Sequence, residues 1–326
     1  MKTNRRKFII NSLMLSTSLP VIVQSPAAAK AARHDASGSP TNKEESFSIS
    51  VFSKHLQWAD YVEMSQVAAE IGFDGIDITV RSGGHVLPER VAEDLPKAVE
   101  AVRKSGLDVF MITTGIISAD DTYAENILKT ASSLGINHYR TGWLHYDDAK
   151  SIEVNLEDFQ RQLTALAALN KKYAIYGEYQ NHSGSYFGAA IWDLYTVLKR
   201  INSPWIGSQY DILHATVEGA NSWHTGLKLL KPHIKSIDIK DFQWSKKNNK
   251  WEAEMVPIGE GLVNFSEYLG LLKQYGIRVP VSLHYEYPLG GAEHGNKTLT
   301  IPKEECVASM KKDLVKLREL IKGSGL

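Results

Sequence analysis

One cysteine, Cys306, is all the thiol chemistry this sequence owns. A single thiol excludes an intrachain disulfide and a thiolate metal cluster, and its position in a helical pattern near the C-terminus reads as a half-buried structural group. An excess of either charge is missing as well. Lys plus Arg and Asp plus Glu both number 37, and no block of like charges runs through the body, so nothing is built to track a phosphate backbone or to lie on an anionic membrane. A nucleic-acid partner is therefore not expected. The sequence also lacks an apolar run long enough to cross a bilayer. Its best candidate, "FIINSLMLSTSLPVIV", is broken by Asn, Ser, Thr and Pro and falls short of the roughly 20 apolar residues a span requires. Finally, no Gly-x-Gly-x-x-Gly turn follows the first strand, where "SKHLQWAD" stands instead, which weakens a doubly wound, dinucleotide-binding sheet.

The apolar run has a telling setting. It follows paired arginines in "NRRKFI" and precedes the small residues of "SPAAAKAA", the order of an export signal with its cleavage site. Residues 1–32 are read as that signal. The Arg5-Arg6 pair is like that of twin-arginine leaders, which implies a folded protein delivered to the periplasm and no stable membrane insertion after cleavage. Residues 33–46, "RHDASGSPTNKEES", are a polar linker.

From residue 47 onward, short β-rich runs alternate with longer helical patterns. The strands are "SISVFSK" (48–54), "GIDITV" (75–80), "DVFMITTG" (108–115), "HYRTGWL" (138–144), "AIYGEYQN" (174–181), "WIGSQYD" (205–211), "SIDIKD" (236–241) and "VPVSLHYEY" (279–287). Between them lie segments with apolar residues at helical spacing, such as "WADYVEMSQVAAEIG" and "NLEDFQRQLTALAALNKKY". Eight strands alternating with helices, with no residues left for a second domain, give an α/β fold: one (β/α)8 TIM barrel over 47–326.

In such barrels the reactive groups sit at the C-terminal ends of the strands, and this sequence's polar residues gather there. They are His85 after the second strand, Arg140 and His145 at the fourth, Gln180 and His182 at the fifth, Asp211 and His214 at the sixth, Asp238 and Lys240 on the seventh, and His284 and Glu286 on the eighth. Side chains two apart on a strand share a face. Glu178 with Gln180, Asp238 with Lys240, and His284 with Glu286 are therefore vertical pairs. If those faces are inward, the buried charges must pair, bind a cation or titrate abnormally. Glu178 belongs one layer below Gln180, in a structural ion pair or hydrogen-bonded role. Aromatic residues at the same ends, Trp143, Tyr179 and Trp244, suit the apolar wall of a sugar site. "YPLGGAEHG" is rich in glycine but has no nearby cation, which argues against a phosphorylated substrate.

Taken in order, "EIGFDGIDITV", "RSGGHV", "QNHSG", "YDILHA", "IKDF", "PIGEGLVNF" and "HYEY" resemble the sugar phosphate isomerase/epimerase superfamily, the xylose-isomerase-like barrels. The resemblance implies one divalent ion (Mn, Co or Zn) whose ligand positions fall here on Gln180, Asp211, Asp238 and His284. Only Asp211 keeps the residue type usual in the family. Glu has become Gln, His has become Asp, and Glu has become His. The resemblance further implies proton abstraction next to a carbonyl in a small carbohydrate. Glu286, Lys240, His182 and His145 are the catalytic candidates, and His85, Arg140, Trp143, His214 and Trp244 the candidates for binding substrate. Two other outcomes are carried forward: a 3-keto-glycoside lyase working by β-elimination, and a catalytically silent carbohydrate-binding barrel. An endonuclease of the same barrel would need a multi-metal cluster and a basic groove, which this sequence lacks.

Overall fold

The computed structural model describes residues 47–326; the expected leader (1–32) and linker (33–46) lie outside the described residues. The chain begins with β1 (Ile49–Phe52), then alternates through α1 (Tyr61–Ile71), β2 (Gly75–Val80), α2 (Val91–Lys104), β3 (Asp108–Thr114), α3 (Ala124–Ser133), β4 (His138–Arg140), α4 (Ile152–Tyr173), β5 (Tyr176–Gln180), α5 (Ile191–Ile201) and β6 (Ile206–Asp211). It continues with α6 (Ile212–Gly219), α7 (Trp223–Leu230), β7 (Ile234–Ile239), a hairpin of β8 (Asp241–Lys247) and β9 (Lys250–Val256), α8 (Phe265–Tyr275), β10 (Val281–Leu283) and α9 (Lys303–Gly323). Strands β1 to β7 and β10 are parallel neighbours in one closed barrel, β10 pairing with both β7 and β1. This is the expected single (β/α)8 barrel.

Local chemistry sets the joints. Asp60 caps α1 by accepting from the backbone N–H of Val62 and Glu63, and Gly72 ends that helix with φ +104°, a conformation glycine adopts without steric cost. Asn264 and Gly276 play the same two parts at α8. The barrel strands are buried on both faces: every residue of β1, β2, β6 and β10 is buried, as parallel strands covered by helices must be. One face of each strand packs apolar residues against the helices. The other face fills the barrel with polar groups. Register then aligns the inner groups, since Asp211 pairs with Asp238 and Asp238 with Ser282, which places His284 two residues above that rung.

The strand reading needs three corrections. The first and eighth strands, expected over 48–54 and 279–287, are the shorter β1 (Ile49–Phe52) and β10 (Val281–Leu283), so Lys54, His284 and Glu286 stand in the segments that follow them. The fourth strand is only three residues long, because the chain leaves the sheet at Thr141. The β8–β9 hairpin was not anticipated. Its turn is Asn248-Asn249, both with positive φ (51° and 63°), the conformation a two-residue hairpin turn requires. The hairpin is anchored at its root by Asp241, whose carboxylate accepts N–H from Phe242, Gly259, Gly261 and Val263 at 2.9–3.1 Å.

Candidate active site

At the C-terminal end of the barrel, Gln180, Asp211, Asp238, Lys240, His284 and Glu286 converge. Lys240 Nζ stands 3.2 Å from Asp211 Oδ2 and 3.4 Å from Glu286 Oε2. His284 Nε2 is 3.4 Å from Asp238 Oδ1, and its Nδ1 is 3.8 Å from Glu286 Oε1. Arg140 reaches across from β4 to donate from Nη1 to Gln180 Oε1 at 2.9 Å. Glu178 lies a layer below, as strand alternation requires, paired with His138 Nδ1 at 2.5 Å and accepting from the Ser236 hydroxyl. It is a buried strut rather than a reactive group.

Three acids (Asp211, Asp238, Glu286) thus face three basic groups (Arg140, Lys240, His284) from the same barrel mouth. Burial opposes charge on Lys240, but Asp211, Glu286 and Asp238 outweigh it and raise its pKa. Burial likewise works against the Glu286 carboxylate, yet Lys240, with help from His284 and Lys54, holds its pKa well below the usual carboxylate range. Glu286 is therefore ionised at neutral pH, and its side chain keeps 23% exposure. His284 is raised because Asp238 overcomes burial. His214 and His182 are lowered by burial and by Lys240, so they are neutral imidazoles. Their rings lie 3.9 Å apart, and His214 Nδ1 meets Ser183 Oγ at 2.8 Å. Several buried polar atoms of this cluster make no hydrogen bond, Arg140 Nε, Trp143 Nε1, His214 Nε2, Asp238 Oδ1 and His284 Nδ1, although Asp238 Oδ1, His214 Nε2 and His284 Nδ1 each have an imidazole or carboxylate partner within 4 Å. Unpartnered buried groups are costly, and their concentration at one end of the barrel points to a polar ligand.

The expected metal ligands meet, but not as ligands. Gln180 Nε2 donates to Asp211 Oδ2 at 2.9 Å and to Asp238 Oδ2 at 2.5 Å. Turning the amide over would set its oxygen against two carboxylates and its N–H groups against a guanidinium, which has no lone pair to offer. Arg140 therefore fixes the orientation. A metal ligand must turn a lone pair toward the ion, whereas Gln180 turns hydrogens. Among the described residues no group of three or more His, Cys, Asp or Glu is arranged to hold a metal ion. As arranged, with the Gln180 amide hydrogens turned to the two aspartates, Gln180, Asp211, Asp238 and His284 do not present the ligand set expected of them for a divalent ion (Mn, Co or Zn).

The remaining candidates divide. Trp143 lies against the Arg140 guanidinium (5.0 Å to the ring) and edge-on to His182 at 4.8 Å. His145 is exposed farther out, its ring 4.9 Å from Tyr186, on a groove of about 840 Å³ that also includes Trp192 and Glu218. His85 spends its ring nitrogens internally, Nδ1 at 3.4 Å from Thr79 Oγ1 and Nε2 at 3.2 Å from Leu56 O, and burial holds its pKa at about 4. It clamps the loop after β2. Trp244 stands exposed on the hairpin, edge-on to Phe242.

The sequence reading missed Phe52, Lys54, Asp77 and Arg81. Phe52 stacks on His284 at 4.4 Å. Lys54 Nζ is 3.8 Å from Glu286 Oε1. Asp77 accepts from Thr113 and Ser282, and burial raises it to about 6. The same strand-end rule that found His284 would have found these residues on β1 and β2.

A family model described as "Xylose isomerase-like TIM barrel" matches residues 65–302. Among curated proteins, none matches the sequence significantly. Solved structures share the fold at low identity. The apo 3-keto-D-glucoside 4-epimerase YcjR from E. coli matches with TM-score 0.62 and 13% identity over 84% of this chain and 100% of that one. D-Psicose 3-epimerase from Clostridium cellulolyticum H10, with D-tagatose, gives 0.65 and 12% over 84% and 99%. A xylose isomerase-like TIM barrel protein from Mycobacterium smegmatis, in complex with magnesium, gives 0.60 and 14% over 84% and 98%.

Proposed function

Because the chain belongs to the xylose isomerase-like TIM barrel family, we propose that it is an isomerase- or epimerase-like enzyme moving a proton on the carbon next to a carbonyl of a non-phosphorylated carbohydrate. The observation that carries this reading is the Lys240–Glu286 pair, 3.4 Å apart, at the centre of the unpartnered polar atoms. A proton next to a carbonyl becomes acidic only when the oxyanion formed is stabilised. Glu286, ionised and partly exposed, is the base. Lys240 and His284 beside it supply the cation and N–H donors for the developing oxyanion. Asp211 and Asp238 hold those two groups in place, and the Gln180 amide ties the two aspartates together. His214 and His182, neutral and in contact, are donors or acceptors for sugar hydroxyls, with Trp143 as the apolar wall. This reading routes no step through a divalent ion.

A second reading, the 3-keto-glycoside lyase, is favoured by the groove beyond Tyr186. It is roomy enough for an aglycone, and His182 stands between it and the proton-transfer pair. β-Elimination begins with the same proton abstraction by Glu286; the glycosidic C–O bond then breaks, and the leaving oxygen takes a proton from an acid on the groove side. One experiment separates the readings. A panel of aldoses, ketoses and 3-keto-glycosides is incubated in D2O and followed by NMR. Deuterium entering the carbon next to the carbonyl, lost in Glu286→Gln, supports proton transfer, and aglycone release assigns the lyase. Absence of exchange and release across the panel would leave the carbohydrate-binding barrel as the better account. The leader read at residues 1–32 supports a periplasmic location; replacing Arg5 and Arg6 by lysine should then retain the precursor in the cytoplasm.

A further inference from the structure

Arg81, directly after β2, is the one cation at the barrel mouth whose guanidinium has no assigned work. It enters no salt bridge and no side-chain hydrogen bond among the described residues, and its surroundings bear on it only through burial, the like charge of Arg140 and the carboxyl of Asp77, which together leave its pKa at about 10. Asp77 does not pair with it, because its oxygens accept from the hydroxyls of Thr113 and Ser282. Asp121 does not either, since it binds the backbone N–H of Ile117 and Ser118.

A second guanidinium stands beside it. Arg81 and Arg140 lie 5.5 and 5.4 Å from the centroid of the same Phe52 ring, whose one face is covered by His284. Arg140 has spent Nη1 on Gln180, while its Nε is buried without a partner. Lys54, from the turn after β1, adds a third positive charge within electrostatic reach of both. Like charges held together at a partly desolvated site repel, and the arrangement is stabilised when an anion joins them. Arg81 also lines a cavity of about 460 Å³ between the loops that follow β2 and β3, whose lining includes Asp120 and Asp121 as well.

We propose that Arg81 and Arg140 form a clamp for the carboxylate of a sugar acid, so that the substrate is a keto- or aldehydo-sugar carrying a carboxylate away from its reacting carbonyl. The guanidinium fork matches the two oxygens of a carboxylate, and one negative charge answers the one guanidinium left unpaired. The clamp sits on the β1, β2 and β4 side of the mouth and the Lys240–Glu286 pair on the β7 and β10 side. The acid end and the reacting end of one sugar therefore bind at different strands. The inference deepens the proton-transfer reading, whose reactive end it presupposes, but binding alone tests it.

The probes are D-glucuronate and D-galacturonate, compared with D-glucose, D-galactose and D-glucose 6-phosphate, by calorimetric titration of the wild type, Arg81→Met and Arg81→Lys. Native melting confirms folding, and Arg81→Lys, which keeps the charge but loses the fork, stands in should the Met variant unfold. The expected result is binding of at least one uronate in preference to its neutral parent and to the phosphate ester, weakened about ten- to hundred-fold in Arg81→Met and partly recovered in Arg81→Lys. Equal binding of neutral parent and acid, preference for the phosphate ester, failure of both uronates to bind, or unchanged uronate affinity in Arg81→Met would each overturn the clamp. Uronate binding that depends on Arg81, without deuterium exchange in any substrate, would keep the clamp and sink the proton-transfer reading instead.

Discussion

Gln180→Glu replaces one nitrogen by oxygen at the point where the site departs most from a metal centre. In the wild type the amide donates to Asp211 and Asp238 at 2.9 and 2.5 Å and accepts from Arg140. A carboxylate there keeps the Arg140 contact but loses two hydrogen bonds to charged acceptors, each worth about 1.5–3 kcal/mol. It also adds two like-charge contacts, each costing about 4 kcal/mol at 4 Å and an effective dielectric near 20, of which a stronger attraction to Arg140 offsets roughly one. A net loss of about 7–10 kcal/mol follows for the fully ionised, ion-free variant. Two routes relieve it. One carboxyl can keep its proton, so the folded pKa rises above the unfolded one, and the penalty is full at high pH and fades as pH falls. Alternatively, a divalent cation can enter among three carboxylates and an imidazole.

Thermal melting read at pH 5.5 and 8, each with EDTA and with excess MnCl2, checks this arithmetic. The variant in EDTA should melt well below the wild type at pH 8 and closer to it at pH 5.5. Mn²⁺ at about 100 times its dissociation constant should return about 2.7 kcal/mol, or about 5–10 °C for a domain of this size. The wild type should hold its melting temperature in both EDTA and Mn²⁺, and elemental analysis should find no stoichiometric ion in it. A wild type that purifies with one divalent ion per chain, or gains as much from Mn²⁺ as the variant, would refute the argument that Gln180 is a donor.

Three further outcomes are expected. Glu286→Gln should melt below the wild type, since buried Lys240 loses a charged partner, yet fold and lose deuterium exchange by about 10²–10⁴-fold, measured by NMR on whichever substrate exchanges. Gly261→Ala should destabilise by about 2–4 kcal/mol in urea unfolding, because an added Cβ would lie 2.3 Å from both Asp241 Oδ1 and Phe242 O and would push the loop off the Asp241 carboxylate. Asp313, buried on α9 with Oδ2 unpartnered, is raised by burial to about 6. The folded protein thus holds this proton more tightly than the unfolded chain, and stability falls as pH climbs from about 4 to 6. Asp313→Asn should add up to about 3 kcal/mol above pH 6 and little at pH 3.5, read from urea midpoints across that range.

The eight barrel strands were legible because parallel strands buried on both faces leave short apolar runs bounded by polar residues, and β2 matches its expected limits residue for residue. The hairpin escaped because Asn248-Asn249 sits among lysines and looks like surface loop. Two-residue alternation likewise sorted Glu178 beneath Gln180 and aligned Asp238 with Lys240. Alternation says which side chains face inward on one strand, but it does not say which residues meet across the barrel. Lys54 ends the first expected strand and Arg81 follows the second, and only closure of the barrel between β1 and β10 brings Lys54 to Glu286 and Phe52 to His284.

Gln180 shows where that limit matters chemically. In the sequence, a glutamine at a ligand position is ambiguous, since its amide offers a lone pair on one side and two hydrogens on the other. The choice is made by Arg140, forty residues earlier, which can satisfy only the oxygen. Once the oxygen is committed, the hydrogens must turn to Asp211 and Asp238, and those acids in turn hold Lys240 on the Asp211 oxygen the amide also uses and His284 on the Asp238 oxygen it leaves free. Gln180, Asp238 and His284 therefore act as one unit. A glutamate at 180 alone creates an excess of negative charge that the present neighbours cannot absorb, and the identity of residue 180 has meaning only together with the arginine opposite.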